Sequence, residues 1–221
     1  MMEGSMITLY GFRRIFPAGI GETKDLRVEW ALQETGLPYR VHGLDHTAGE
    51  LDSPAYGRIS PFHQAPTIDD DGFIVAESGA ALLYIAEKAG KLIPADFEGR
   101  TRVVQWCFAA VSTVAPTLGL LGLGDIAGLT DEGRKQWIKI AERWLDGLER
   151  RLDGRAWIAC KDFTVADILL ATVLREVRET DLIAAYPRLK DYYARALARP
   201  AWERTLGLYA ERFGVAVEDI R

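Results

Sequence analysis

The chain has 221 residues, 48% of them apolar and 27% charged, with a formal net charge of -5 at pH 7. That composition suits a globular protein and is long enough for two modest hydrophobic cores. An acidic balance without a long single-sign run leaves no electrostatic footprint for nucleic acid, and Met1-Met2-Glu3-Gly4-Ser5-Met6 lacks the charged and apolar regions of an export signal. The sequence is also read as having no apolar run approaching the roughly 18 residues of a membrane span, so a cytoplasmic protein with neither nucleic acid nor membrane as partner is expected.

Ile7 to Tyr10 is β-prone and predicts a first strand. A long loop follows from Gly11 to about Glu22, where Pro17 and its glycines oppose regular structure. A helix is predicted from Thr23 or Lys24 to Gly36, ahead of Leu37-Pro38, with Leu26, Trp30 and Gln33 on one stripe and Val28, Ala31 and Leu32 on the next. Tyr39 to Leu44 reads as a second strand, which makes a βαβ unit with a parallel crossover. Residues 45 to 60 look irregular or weakly helical. Thr67-Ile68 and Phe73-Ile74-Val75-Ala76 flank Asp69-Asp70-Asp71-Gly72 and predict an antiparallel hairpin. Ser78 then sits where an N-cap belongs, before a helix running to about Lys88. The unpaired first-turn N–H groups of such a helix, with the Ser78 hydroxyl, suit a carboxylate or phosphate; the alternative is that Ser78 only caps its own helix.

Gly90 to Gly99, with Pro94 inside it, is the best linker. The expected organisation is therefore an α/β domain over 1–89, a linker over 90–99, and an all-helical domain over 100–221. The first helix of the second half should run from Arg100 to about Leu123 and bend or end near Pro116. Another opens at Thr130-Asp131-Glu132 and carries Trp137, Ile140, Ala141, Trp144, Leu145 and Leu148 at helical spacing. Thr164 and Asp167 form a capping-box pattern, with Phe163 and Ile168 at the positions of a hydrophobic staple. Short helices are expected over 186–197 and 200–213. Cys107 and Cys160 have no metal or redox spacing, and with three histidines a His or Cys metal centre is not expected. Both cysteines are read as buried, small apolar side chains.

The β-α-β-(α)-β-β-α order, the Ser60-Pro61-Phe62-His63-Gln64-Ala65-Pro66 loop, Glu77-Ser78 and the Thr164–Asp167 box together resemble the cytosolic glutathione transferases. That resemblance implies a thioredoxin-like first domain and an all-α helical-bundle second domain. It implies a cis peptide bond before Pro66, with the Gln64-Ala65-Pro66 backbone holding the cysteinyl part of glutathione. Glu77 would take the γ-glutamyl ammonium, Ser78 its carboxylate, and His63 the glycyl carboxylate or merely a packing role. It further implies glutathione as co-substrate, a hydrophobic electrophile, a detoxifying transferase reaction and a homodimer. The electrophile pocket would lie between domains, near Phe12, Phe16, Trp106 and Phe108. The usual serine or cysteine at the first helix start is missing, so the thiolate donor stays open among Tyr10, Thr23 and an arginine-assisted site using Arg13 or Arg14. The competing expectation is a binding or regulatory protein that keeps the fold without turnover.

Overall fold

The computed structural model describes residues 6–221. The first five residues, on which the expectation of no export signal partly rests, lie outside the described residues. A four-stranded mixed sheet organises the first unit, in the order β2 (Tyr39–Asp45), β1 (Ile7–Arg14), β3 (Thr67–Asp70), β4 (Phe73–Ala76). β1 pairs parallel to β2 and antiparallel to β3, and the β3–β4 hairpin turns at Asp71 and Gly72, both with positive φ. Helices α1 (Asp25–Thr35) and α3 (Ser78–Ala89) pack together, burying Leu26, Trp30, Leu82 and Ile85 with Ile7 and Leu9 of the central strand. A short helix α2 (Pro54–Gly57) and the opposite side-chain set of β1 form a second cluster of Phe12, Leu44, Leu51 and Tyr56, with Tyr10 and Ala65 packed against it.

β1 is longer than the sequence predicts. The expected loop begins at Gly11, but Gly11 to Arg14 continue the strand because Gly11, Phe12 and Arg14 find parallel partners in Gly43, Leu44 and Asp45. Glycine is required at position 11, since a Cβ there would stand 2.7 Å from an Asp25 carboxylate oxygen. The remaining loop also contains a 3-10 turn at Pro17–Gly19.

The second unit, Leu92–Ala198, is helical. It contains α4 (Phe97–Phe108), a π-helical turn (Ala109–Val114), α5 (Ala115–Gly122), α6 (Asp131–Arg151), α7 (Val165–Arg175) and α8 (Pro187–Leu197). Every residue of α7 is buried, and Asp167 accepts from the N–H groups of Ile158 and Thr164 at 2.8 Å each and from the hydroxyls of Thr164 at 3.0 Å and Tyr192 at 3.1 Å. The capping signal read in the sequence is therefore present, and it also fastens α8 to α7. The helical run Phe97–Gly122 spans 26 residues and contains an 18-residue stretch with a mean hydropathy of 1.5, so by length and composition alone it could cross a membrane, contrary to the sequence reading. Gln105 to Gly122 carries no charge, and the polar Ser112 and Thr113, with Pro116, interrupt its apolar residues. In this structure the run is interrupted by the π-turn ahead of Pro116 and packs on α7.

The last helix, α9 (Pro200–Phe213), and a 3-10 turn at Val217–Ile220 group with the first unit rather than with the other helices. α9 runs antiparallel along α1. Arg199 Nε and Nη2 donate to Glu34 at 2.6 and 2.8 Å, Trp202 meets Trp30 at 4.8 Å between ring centroids, and Arg212 reaches Asp25 at the far end.

Candidate functional site

The loop before β3 is held by hydroxyl groups. Ser60, buried at the end of the α2 segment, accepts from Gln64 N–H at 3.0 Å and donates to Gln64 C=O at 2.9 Å; Tyr56 Oη donates to the same carbonyl at 3.0 Å. The peptide leading into Ala65 is thereby fixed, and the Ala65–Pro66 bond is cis. The Gln64 side chain is exposed and Ala65 half-buried. His63 is exposed, has φ 54°, and its Nδ1 donates to Leu51 C=O at 2.6 Å. Its other ring edge lies over Gly57, where a Cβ would come within 2.8 Å of Cε1. One ring nitrogen of His63 is thus committed to the fold.

Sheet and helix meet at Glu77-Ser78. Glu77 has φ 70°, ψ 119°, an uncommon conformation for a residue with a side chain, and its carboxylate is exposed. Glu77, not Ser78, occupies the cap position, because its carbonyl takes the first helical bond, from Ala81. Ser78 is the first residue of α3, and Arg27 Nη1 of α1 donates to Ser78 Oγ at 3.5 Å. Arg27 is 4% exposed. An exposed carboxylate beside a hydroxyl, a buried guanidinium and a helix N-terminus is complementary to a group carrying both an ammonium and a carboxylate. Sequence reasoning missed Arg27; its signal is a cation between Leu26 and Val28 in a stretch whose neighbours are all buried.

The structure does not bring the three sulfur-stabilising candidates together. The Tyr10 ring lies among His42 and Tyr56, 5.0 and 6.1 Å away between centroids, on the face of the sheet that carries α2. Arg13 crosses β2 instead, with Nε donating to Gly43 C=O and Nη2 to Glu50, both at 3.0 Å, while half-exposed. Arg14 stands 3.9 Å from Asp45 and is mostly exposed. Thr23 does not cap α1, whose cap position is Lys24; its hydroxyl lies 2.8 Å from Tyr209 Oη. Thr23 is half-buried and is the candidate at the mouth of the first loop.

Beneath Thr23 lies an ionic cluster that the sequence did not disclose. Asp25 is fully buried and its Oδ2 accepts from Phe12 N–H at 3.1 Å and Arg212 Nη2 at 3.2 Å. Arg212 Nη1 also donates to Glu29 at 3.0 Å, and its Nε to Phe12 C=O at 2.9 Å. Burial raises the pKa of Asp25, opposed by Arg212, the Thr23 hydroxyl and the Phe12 N–H. Glu29 is raised in the same way, with the neighbouring Asp25 charge adding to the rise. Neither cysteine is activated: burial pushes the Cys107 thiol up to about 12 and raises that of Cys160. Among the described residues no group of three His, Cys, Asp or Glu side chains is placed to hold a metal ion.

Comparison with known proteins bears on the sequence and the fold. Residues 7–87 match the family model for the glutathione S-transferase N-terminal domain, and residues 131–195 match that for the C-terminal domain. The chain is 30% identical over 185 residues to the disulfide-bond oxidoreductase YfcG of Escherichia coli strain K12, spanning 79% of this chain and 86% of that protein. Among solved structures, a glutathione transferase family member from Pseudomonas fluorescens with two glutathione bound superposes with a TM-score of 0.77 at 27% identity, covering 93% of this chain and 94% of the other. A glutathione transferase from Burkholderia graminis, with two glutathione molecules per subunit, gives 0.78 at 29% identity over 93% and 89%.

Proposed function

This chain belongs to the glutathione S-transferase family, and from that premise we propose that it binds glutathione and activates its thiol for attack on a hydrophobic electrophile. The observation that carries the reading is the Glu77-Ser78 corner, where a strained carboxylate residue, a helix N-terminus and the Arg27 guanidinium converge. In this reading Glu77 takes the γ-glutamyl ammonium, and Ser78 with its N–H takes the carboxylate, strengthened by Arg27. The backbone of Gln64-Ala65-Pro66 pairs with the cysteinyl unit, and His63 in its cationic form, with Nδ1–H kept on Leu51 C=O, donates Nε2–H to the glycyl carboxylate. Thr23 faces the sulfur in this reading, ahead of Tyr10, whose ring packs against His42 and Tyr56, and Arg13, whose guanidinium bonds Gly43 C=O and Glu50.

The chemical demand is modest. A free thiol has a pKa of about 8.5, and lowering it by two units requires about 2.7 kcal/mol of preference for the thiolate. One hydroxyl donor and the positive end of α1 are of the right order for that task. A homodimer is part of the reading, and sedimentation of the purified protein measures it.

A second reading is favoured by the relatives: disulfide exchange in which two glutathione molecules supply the thiols. One thiolate attacks a disulfide and expels a thiolate; the second attacks the mixed disulfide, leaving glutathione disulfide and two thiols. Cys107 is buried but Cys160, contrary to the sequence reading, is only half-buried; neither thiol is activated, which suits this version because the chain's own thiols take no part. Calorimetric titration with glutathione, alongside its thiolate absorbance across pH, tests the common core. Ser78→Ala should weaken binding about tenfold, and an unaltered affinity would remove the corner from the site. Parallel assays with a model electrophile and with a model disulfide separate the two chemistries, and Cys107→Ala with Cys160→Ser should leave either one intact.

A further inference from the structure

We propose that Tyr209, carried by the last helix, is a positioning residue for the thiol end of the site, orienting the Thr23 hydroxyl through a two-hydroxyl relay; this rests on the glutathione reading above. Tyr209 Oη accepts the Gly21 N–H at 3.1 Å and lies 2.8 Å from Thr23 Oγ1. Either hydroxyl can donate across the Thr23–Tyr209 contact; the relay uses the orientation in which the phenol, with Gly21 N–H on one lone pair, gives its proton to Thr23 Oγ1. In that orientation Thr23 divides its own proton between the neighbouring Asp25 carboxylate, whose pKa it helps hold down, and a sulfur placed at the loop, and a hydroxyl that is itself accepting a hydrogen bond is a better donor. Burial pushes the Tyr209 pKa up to about 12, so the phenol keeps the proton that the relay needs.

The surroundings fix this hydroxyl where the loop needs it. The Tyr209 ring is fully buried, stacks on Phe213 at 4.5 Å and lies under the Arg212 guanidinium at 5.1 Å. Arg212 in turn grips Phe12 C=O, Asp25 and Glu29, which anchors α9 to the end of β1 and the start of α1. Gly21 has φ 85° and would press a Cβ to 3.1 Å from Ile220, so the final 3-10 turn closes over the same loop. Residues nearly two hundred positions downstream thus set the conformation of the segment that presents Thr23.

The test compares wild type, Tyr209→Phe, Thr23→Val and the double variant, each shown to be folded by thermal unfolding. Two signals are read: the pH titration of bound glutathione thiolate by ultraviolet absorbance, and hydrogen exchange at the Gly21 amide. Thr23→Val should raise the bound thiol pKa by about one unit and Tyr209→Phe by about half a unit. Tyr209→Phe should add nothing further in the Thr23→Val background, and Gly21 should exchange faster in both variants that lack the phenol. Binding with an unmoved titration in Tyr209→Phe, or an equal shift in both backgrounds, would overturn the relay while leaving the glutathione reading intact. Failure of wild type to bind millimolar glutathione would overturn that reading and the relay to sulfur with it. Unchanged Gly21 exchange in Tyr209→Phe would overturn the positioning role by itself.

Discussion

Two fully buried aspartates, each in the first turn of a helix, are handled in opposite ways. Asp167 in α7 is surrounded by four neutral donors, two on each oxygen: two backbone N–H groups, the Thr164 hydroxyl and the Tyr192 phenol. Asp25 in α1 receives one N–H and a guanidinium on Oδ2, and among the described residues no donor reaches its Oδ1 at hydrogen-bonding distance. Burial raises the pKa of both. The first is a self-contained structural knot. The second shares one cation with Glu29 and sits under the loop that carries Thr23, so its neighbourhood is both less satisfied and closer to the proposed chemistry. Complete local satisfaction serves stability, whereas the incomplete, charge-shared site couples the end of the chain to the beginning.

The comparison can be broken most severely at Asp167. Asp167→Ala leaves two buried N–H groups and two hydroxyls without their acceptor and should cost about 4 kcal/mol or prevent folding. Urea unfolding reads this, and a loss below about 1 kcal/mol would mean the knot is not what holds α7. Arg212→Met should cost about 3 kcal/mol at neutral pH, since it strands two buried carboxyls. Because Arg212 opposes the rise in both their pKa values, its removal raises them further, and the deficit should shrink as pH falls and the carboxyls take up protons. A deficit that stays constant from pH 7 to pH 5 would show that Arg212 acts by packing alone.

Smaller changes sharpen the contrast. Thr164→Ala removes one hydroxyl from a carboxylate that keeps three other donors, and about 1 kcal/mol of destabilisation is expected. Asp25→Asn keeps an acceptor for Phe12 N–H and should change stability at neutral pH by less than about 1 kcal/mol. Its informative effect is on the pH profile. A carboxyl whose folded pKa is raised binds its proton more readily in the native state, so its stabilisation is fully present below the unfolded value and is lost as pH rises through the folded value. Wild type should therefore gain more stability than Asp25→Asn between pH 7 and pH 5, and parallel profiles in urea would assign the dependence to other groups.

The same contrast explains what could be read from sequence. The Asp167 knot is local: Thr164, Asp167 and the preceding turn fall within ten residues, and a capping box needs only that spacing. The hairpin, the βαβ unit and the start of α3 were legible for the same reason, to within one residue at Ser78. The continuation of β1 through Phe12 was not, because it depends on an edge offered by β2 and on the Asp25 carboxylate occupying the space above Gly11. Nor did Tyr10 or Arg13 reveal its partners, since strand position says which face a side chain takes but not which neighbour claims it.

Sequence by itself determined the element order, the family resemblance and the Gln64-Ala65-Pro66 and Glu77-Ser78 segments, because each is written in contiguous residues with their own turn and cap chemistry. Tertiary structure alone decided that α9 belongs with the first unit, that Arg27 stands behind Ser78, and that Thr23 answers to Tyr209. Those contacts join positions 51 and 186 residues apart. Over such separations a hydroxyl or a guanidinium has no local pattern to announce it, and only the folding of the chain determines which buried group it satisfies.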